Sequence, residues 1–140
     1  MSQESTTPDL AELVRQLLDA TSRADLDQLP RFYAPNAVWD SSPGGLEVVE
    51  GVAAIRRLNE DWFAVYEDWE AEVEELLDLG SGVGFAVLVQ RGRPVGSTGF
   101  VQLRQGFVAC VENGMVARIT TYPDVDEGRA AAERFAAERE

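Results

Sequence analysis

Residues 32–40 read Phe-Tyr-Ala-Pro-Asn-Ala-Val-Trp-Asp, and the rest of the chain is organised around this stretch. Its second half has the composition of a short strand, and the Ser-Ser-Pro-Gly-Gly sequence at residues 41–45 predicts a turn after it. A strand that ends in a polar residue and passes into a loop often places polar groups at the mouth of a cavity. We therefore expect Trp39, Asp40 and Ser41 to lie at a pocket.

Hydrophobic periodicity places helices before and after this stretch and strands in the second half of the chain. The period changes from helical spacing to two at Trp69, and the alternation slips at Glu75, which predicts a β-bulge. Asn113-Gly114 predicts a type I′ hairpin turn, since both positions require positive φ. The predicted elements, in chain order, are helices at about residues 8–22 and 25–34, a strand at 36–40, a helix at 52–66, strands at 69–79, 83–90, 98–112 and 115–122, and a helix at 126–139.

These elements predict one α+β domain with helices on one side of a bent antiparallel sheet. We expect a flexible tail at residues 1–8, a single domain at 9–124 and a C-terminal helix at 125–140. A chain of 140 residues is long enough to build a hydrophobic core without disulfide bonds. Its one cysteine, Cys110, cannot form an internal bridge.

The composition argues against several classes of function. With 12 Lys and Arg against 25 Asp and Glu, the formal net charge is -13, which disfavours nucleic acid and anionic membranes as partners. The chain has no His, so the usual general base and the commonest metal ligand are missing, and we expect no metal and no cofactor. No signal-peptide pattern opens the sequence and no apolar run is long enough to span a membrane, so we expect a cytoplasmic protein.

The chain resembles the SnoaL-like and ketosteroid isomerase-like proteins of the nuclear transport factor 2-like (NTF2-like) superfamily. The resemblance extends over about residues 10–124 and rests on Ala24–Asp27, Phe32–Asp40, Gly51–Arg56 and the hairpin around Asn113-Gly114. It implies a cone-shaped fold in which a curved antiparallel sheet wraps around N-terminal helices and encloses a pocket for a small molecule. It also implies a homodimer through the outer face of the sheet. Enzymes and binding modules share this fold, so the resemblance does not decide between them.

The resemblance also implies which positions to examine for chemistry. The catalytic positions of ketosteroid isomerases, a known case of tuned carboxyl pKa values, fall on Ser41, Leu17 and Val108, and none of these residues carries the required group. Steroid-type isomerisation is therefore not expected. Strand parity taken from the same resemblance, together with aromatic spacing, gives a set of expected pocket residues. They are Trp39, Ser41, Trp62, Tyr66, Gln90, Arg104, Val108 and Thr120.

Three further residues are candidates for catalysis. Asp40 is a candidate base if its side chain turns into the cavity, and the alternative is that it caps the turn after it. Arg118 and Tyr122 are candidates for polarising a carbonyl oxygen, and the alternative for Arg118 is an ion pair with Glu112. Aromatic residues at helical spacing also occur in cores, and this alternative is favoured for Trp62.

Two functions remain open for the sequence. One is a cofactor-free isomerase, cyclase or lyase that acts beside a carbonyl of a small cyclic or aromatic molecule. The other is a non-enzymatic, dimeric binding or interaction module. An epoxide hydrolase with an Asp-Arg-Asp arrangement is a weaker third alternative, because no second inward Asp is found to pair with Arg118. The alternating carboxylates Glu70, Glu72 and Glu74 indicate a solvated strand edge rather than a metal site.

Overall fold

The computed structural model describes residues 10–139, so the tail predicted at residues 1–8 lies outside the described residues. The helices are α1 (Leu10–Ser22), α2 (Val52–Ala64) and α3 (Val125–Glu138), with 3-10 helices at Leu26–Arg31 and Ser42–Gly44. The strands are β1 (Tyr33–Asp40), β2 (Val48–Glu50), β3 (Tyr66–Asp78), β4 (Val83–Pro94), β5 (Val101–Glu112) and β6 (Met115–Tyr122). None of the helices in this part of the chain is long and apolar enough to cross a membrane.

The strands form one curved, unclosed sheet in the order β2-β1-β6-β5-β4-β3. Neighbouring strands are antiparallel except β1 and β6, which run parallel. The helices α1 and α2 and the first 3-10 helix pack on the concave side of the sheet. This arrangement confirms the predicted α+β cone, with one parallel pair in a sheet that we predicted to be antiparallel.

The main hydrophobic core lies between the concave face and these helices. Leu13, Val14 and Leu17 recur at helical spacing on α1, and each is at most 6% exposed. Ile55 of α2 and Ile119 of β6 belong to the same buried cluster. The core therefore fixes α1 and α2 over the sheet.

A second buried cluster lies on the convex face of the sheet. Phe85, Val87 and Val108 point away from the inside of the cone and are covered by Val125 and Ala132 of α3. Burial of such side chains contributes roughly 1.5–3 kcal/mol each. The C-terminal helix is therefore an integral part of the fold and covers part of the outer face.

The strand register confirms two local predictions and adds one element. The pairing of β3 with β4 shifts between Val73 and Glu75, where the sequence predicts a bulge. Asn113 and Gly114 have φ values of 53° and 77°, which is the conformation that the predicted hairpin turn requires. The short strand β2, which pairs with the end of β1, was not predicted.

A further bulge, in β6, was also not predicted. Val111 of β5 pairs with Val116, but the next pair is Cys110 with Arg118, so Ala117 is an extra residue. An extra residue reverses the alternation of side chains beyond it. The faces of β6 after Ala117 are therefore the opposite of those given by unbroken alternation.

Candidate functional site

A cavity of about 510 Å³ lies inside the cone, between the concave face of the sheet and the helices α1 and α2. Its volume falls within the range of roughly 300–1,000 Å³ that is usual for small-molecule sites. The exposed residues Leu46, Arg57 and Val65 are part of its lining. The cavity therefore opens to solvent between the β1–β2 loop and α2.

Five aromatic side chains form two walls of this cavity. Trp39 meets Phe107 edge to face, with ring centroids 6.2 Å apart. Trp62 and Phe63 of α2 pack edge to face on Trp69 of β3, at 5.7 and 5.9 Å. Edge-to-face packing of this kind is the preferred geometry for aromatic pairs. The walls are thus rigid apolar surfaces against which a flat ring can lie.

Gly92 of β4 makes room for one of these walls. A Cβ atom on Gly92 would lie 2.5 Å from Cε3 of Trp69, closer than non-bonded carbons approach one another. Tyr66 packs on Trp62 and Trp69, at 5.2 and 4.9 Å, but does not itself line the cavity. The absence of a side chain at Gly92 lets the indole lie directly on the sheet.

Two hydroxyl groups meet where β1 ends. The Trp39 Nε1–H donates to Oγ of Ser41 at 2.9 Å, and the hydroxyl oxygens of Ser41 and Thr121 lie 3.1 Å apart. Parallel pairing of β1 with β6 brings them together, because Asp40 lies opposite Thr120 and the next residues follow in step. Ser41 and Thr121 are only 8% and 6% exposed, and both line the cavity.

Neutral polar groups also line the cavity on β1, β4, β5 and α2. The side-chain amides of Gln90 and Gln105 are joined by a hydrogen bond of 2.7 Å. Asn59 donates through Nδ2 to the carbonyl oxygen of Ile55 at 2.9 Å, which leaves its Oδ1 as an acceptor. Burial raises the pKa of Tyr33 far above its ordinary value, so its hydroxyl stays neutral.

Charged side chains line only the mouth of this cavity. Within residues 10–139 they are Glu47, Arg57 and Asp61, and all three are exposed. An ionised group inside the cavity would have to be paired to offset its loss of hydration. The described interior therefore provides hydrogen bonds without formal charge.

The three residues proposed for catalysis lie near one another, but on the outer face of the sheet. Asp40 accepts a hydrogen bond from the backbone N–H of Ser42 at 2.8 Å and another from Arg118 Nη2 at 2.5 Å. Tyr122 is half-buried beside α3, where Gly128 lies against its ring. None of the three lines the cavity. The prediction that Arg118 and Tyr122 point inward is therefore wrong, and the extra residue Ala117 is the reason.

The pKa of Asp40 is shifted in the direction that disfavours a general base. Its partial burial acts to raise the pKa, but hydrogen bonds from Ser42 and the ion pair with Arg118 outweigh this effect and lower it. A base that works near neutral pH needs a raised pKa instead. Burial raises the pKa of Tyr122. The geometry of Asp40 matches the turn-capping alternative, with Arg118 rather than a ligand as its second partner.

The remaining expected pocket residues divide between the inside and the outside of the cone. Those that line the cavity are Trp39, Ser41, Trp62 and Gln90. Arg104 is exposed and forms an ion pair with Glu74 at 2.7 Å. Val108 belongs to the cluster under α3, and Thr120 lies beyond the bulge on the outward parity. The prediction that Val108 faces the cavity is wrong by one residue, because Phe107, which precedes it on β5, is the residue that faces inward.

Some lining residues were not recognised in the sequence. We expected Thr121 of β6 and Gln105 of β5 to face outward, but both line the cavity. The bulge at Ala117 reverses the face of Thr121, and nothing in the local pattern indicates this bulge. Asn59 did leave a signal, since it lies four residues after Ile55 and interrupts the buried face of α2. A polar residue on an otherwise apolar helix face is a reasonable indicator of a pocket.

Within residues 10–139, no group of three or more carboxylate or thiol side chains is placed to hold a metal ion.

The SnoaL-like domain family matches residues 14–119, and the chain therefore belongs to that family. Its fold is the NTF2-like cone of ketosteroid isomerase-like proteins. A comparison with curated proteins finds no match.

Solved structures of low sequence identity share this fold. A candidate SnoaL-like polyketide cyclase from Jannaschia sp. CCS1 is 16% identical with a TM-score of 0.74, covering 95% of this chain and 97% of its own. An LEH-like epoxide hydrolase from M. tuberculosis is 14% identical with a TM-score of 0.70, covering 96% of each chain. A candidate polyketide cyclase from Sinorhizobium meliloti is 24% identical with a TM-score of 0.65, covering 79% and 93%.

Proposed function

We propose that this protein binds an uncharged, mainly apolar cyclic or aromatic molecule inside the cone. The observation that carries the proposal is the make-up of the cavity, which combines aromatic walls with buried neutral hydrogen-bonding groups and has its charged residues at the mouth. A carboxylate or ammonium ion inside it would lose its hydration without gaining an ion pair. A neutral ring with a few polar substituents suits such a site best.

Catalysis is the second candidate, and the structural neighbours give it a direction. Two of them are described as candidate polyketide cyclases and one as an epoxide hydrolase. A cofactor-free isomerase or cyclase of this kind needs a base near the reacting carbon. Asp40 lies outside the cavity, and the lining carboxylates Glu47 and Asp61 are at its mouth. Ligand binding without an internal base is therefore the function that the geometry supports best.

The partners and the compartment stay predictions. The net charge of -13 favours small molecules over nucleic acid or anionic membranes, and a cytoplasmic location is expected. A homodimer through the outer face would have to use the part that α3 leaves uncovered. Phe100 lies there with Arg91 stacked 3.9 Å from its ring centre. Sedimentation of the wild type and of Phe100→Glu would test this arrangement.

Intrinsic fluorescence is a direct assay for binding, because all three tryptophans of the chain line the cavity. At pH 7 we expect 2-naphthol to quench this emission with a Kd at least about tenfold lower than that of 2-naphthoate, which has the same rings and a charge. Ala54→Phe places a ring in the cavity and should abolish binding. Ala53→Phe, one residue away and outside the lining, is the matched control. Equal affinities in these two variants would contradict the proposal.

A further inference from the structure

The Ser41–Thr121 pair has one hydrogen more than it can use internally. Two hydroxyl groups have two hydrogens, and one of them is shared between the oxygens across 3.1 Å. The Trp39 indole already donates to Ser41 Oγ and cannot accept. No third protein partner is found for either oxygen within residues 10–139, whichever hydroxyl donates to the other. One O–H is therefore left to donate to a molecule in the cavity.

The same count for the amide pair gives a different result. Gln90 and Gln105 share one N–H···O hydrogen bond of 2.7 Å. Whichever amide donates to the other, the donating residue keeps its own carbonyl oxygen free, and N–H groups also remain without a partner in the pair. The pair thus presents an acceptor and a donor side by side. A ligand edge with its own donor and acceptor, such as a lactam, would match it.

Strand pairing sets the spacing between these two positions. Thr121 lies directly opposite Phe107, and Gln105 precedes Phe107 by two residues on the same strand. One strand across and two residues along give roughly 8 Å between the Cα atoms of Thr121 and Gln105. Phe107 adjoins both positions on this face of the sheet, and Trp39 packs with its ring edge to face. A flat ligand of about two fused rings can reach both positions from this surface.

We propose that the Ser41–Thr121 pair donates a hydrogen bond to the carbonyl oxygen of a neutral cyclic ketone or lactam bound on Phe107. This assignment rests on the proposed function and adds the class of ligand and its orientation. Ser41 occupies the position that the ketosteroid isomerase resemblance gives to a general base. In this chain Ser41 supplies a hydrogen-bond donor at that position. The position therefore binds the carbonyl oxygen and does not remove a proton.

The test compares 1-tetralone with tetralin, which has the same two rings but no carbonyl. In the wild type we expect tetralone to bind about tenfold more tightly, the upper end for one neutral hydrogen bond. Ser41→Ala and Thr121→Val each leave one free hydroxyl, so each should keep part of this preference. Ser41→Ala also frees the Trp39 indole N–H, so the double variant is made in a Trp39→Phe background. There it should bind both probes equally and should leave the affinity for tetralin within about twofold of the Trp39→Phe protein.

Two outcomes separate this inference from the proposed function. If neither probe binds the wild type, the proposed function fails and the inference fails with it. If both bind but the preference for tetralone survives in the double variant, only the donor assignment is overturned. The infrared carbonyl band of tetralone bound to the wild type gives a second measurement that needs no variant. A band shifted to lower frequency than in hexane is expected, and an unshifted band would overturn the assignment.

Discussion

Replacing Asp40 with Asn separates a structural role of this carboxylate from a catalytic one. The Asp40 side chain is 12% exposed and that of Arg118 is 43% exposed. Asn retains an oxygen that can accept from the Ser42 N–H, but it removes the charge that faces Arg118. Hydrogen bonds to charged groups contribute roughly 1.5–3 kcal/mol, and Arg118 remains partly hydrated, so we expect a loss of about 2 kcal/mol in the free energy of unfolding.

The same substitution should change how stability depends on pH. The pKa of Asp40 is lowered in the folded protein, since its hydrogen bonds from Ser42 and its ion pair with Arg118 outweigh the opposing effect of burial. A group with a lowered pKa stabilises the fold above its unfolded value, about 3.9 for Asp, and this contribution is lost as the pH falls through the folded pKa. The difference between wild type and Asp40→Asn should therefore be constant above about pH 5 and should narrow below about pH 4.

Urea unfolding followed by tryptophan fluorescence provides the measurement. Asp40→Asn, Arg118→Gln and the double variant form a thermodynamic cycle, and Asp61→Asn at the exposed mouth is the charge-matched control. The two single losses should overlap strongly, so that the double variant is only slightly less stable than either. An Asp40→Asn protein with the urea midpoint of wild type would refute the structural role. If the Asp40→Asn protein lost ligand binding at unchanged stability, Asp40 would have to be part of the binding site.

Two other changes follow from the packing. Gly92→Ala should lower the free energy of unfolding by about 1–3 kcal/mol and shift the tryptophan emission, because the new methyl group displaces the Trp69 indole; an unchanged spectrum would mean that the ring has room. A chain that ends at Asp124 lacks α3 and exposes Phe85 and Val108, so it should lose more than about 3 kcal/mol and scatter light at concentrations where the full chain is clear. A monomeric truncated protein of full stability would contradict the role given to the helix.

The parts of this fold that the sequence predicts are those encoded by local chemistry. The Asn113-Gly114 turn needs only two residues that accept positive φ, and the bulge at Glu75 breaks a visible alternation. The partners of Asp40 could not be predicted in this way, since Arg118 is 78 residues away in sequence and on a parallel neighbour. Period-two patterns state which residues share a face only as long as no extra residue intervenes.

The same limit explains the outcome for the candidate site. On β1 the pairing is irregular only between Tyr33 and Val38, before the end that reaches the cavity, and Trp39 and Ser41 line the pocket as expected. On β6, Thr120 and Thr121 are both buried and both polar, so neither burial propensity nor hydropathy indicates which of them faces inward. For this reason, some of the side chains that carry the proposed function, such as Thr121, are ones that the sequence assigned to the outer face of the sheet.

The bulge at Ala117 makes the chemistry of the cavity depend on strand register as well as on residue identity. Deletion of Ala117 would keep the present faces, because Val116 and Arg118 would then alternate directly. If β6 instead kept all its residues and paired with β5 without the bulge, the slip of one residue would turn Arg118, Thr120 and Tyr122 towards the ligand and move Thr121 to the outside. A neutral binding site would then acquire a cation and a phenol without any substitution. Related chains can therefore differ in the groups that line the cavity through the pairing register of this strand, even where their aligned residues are the same.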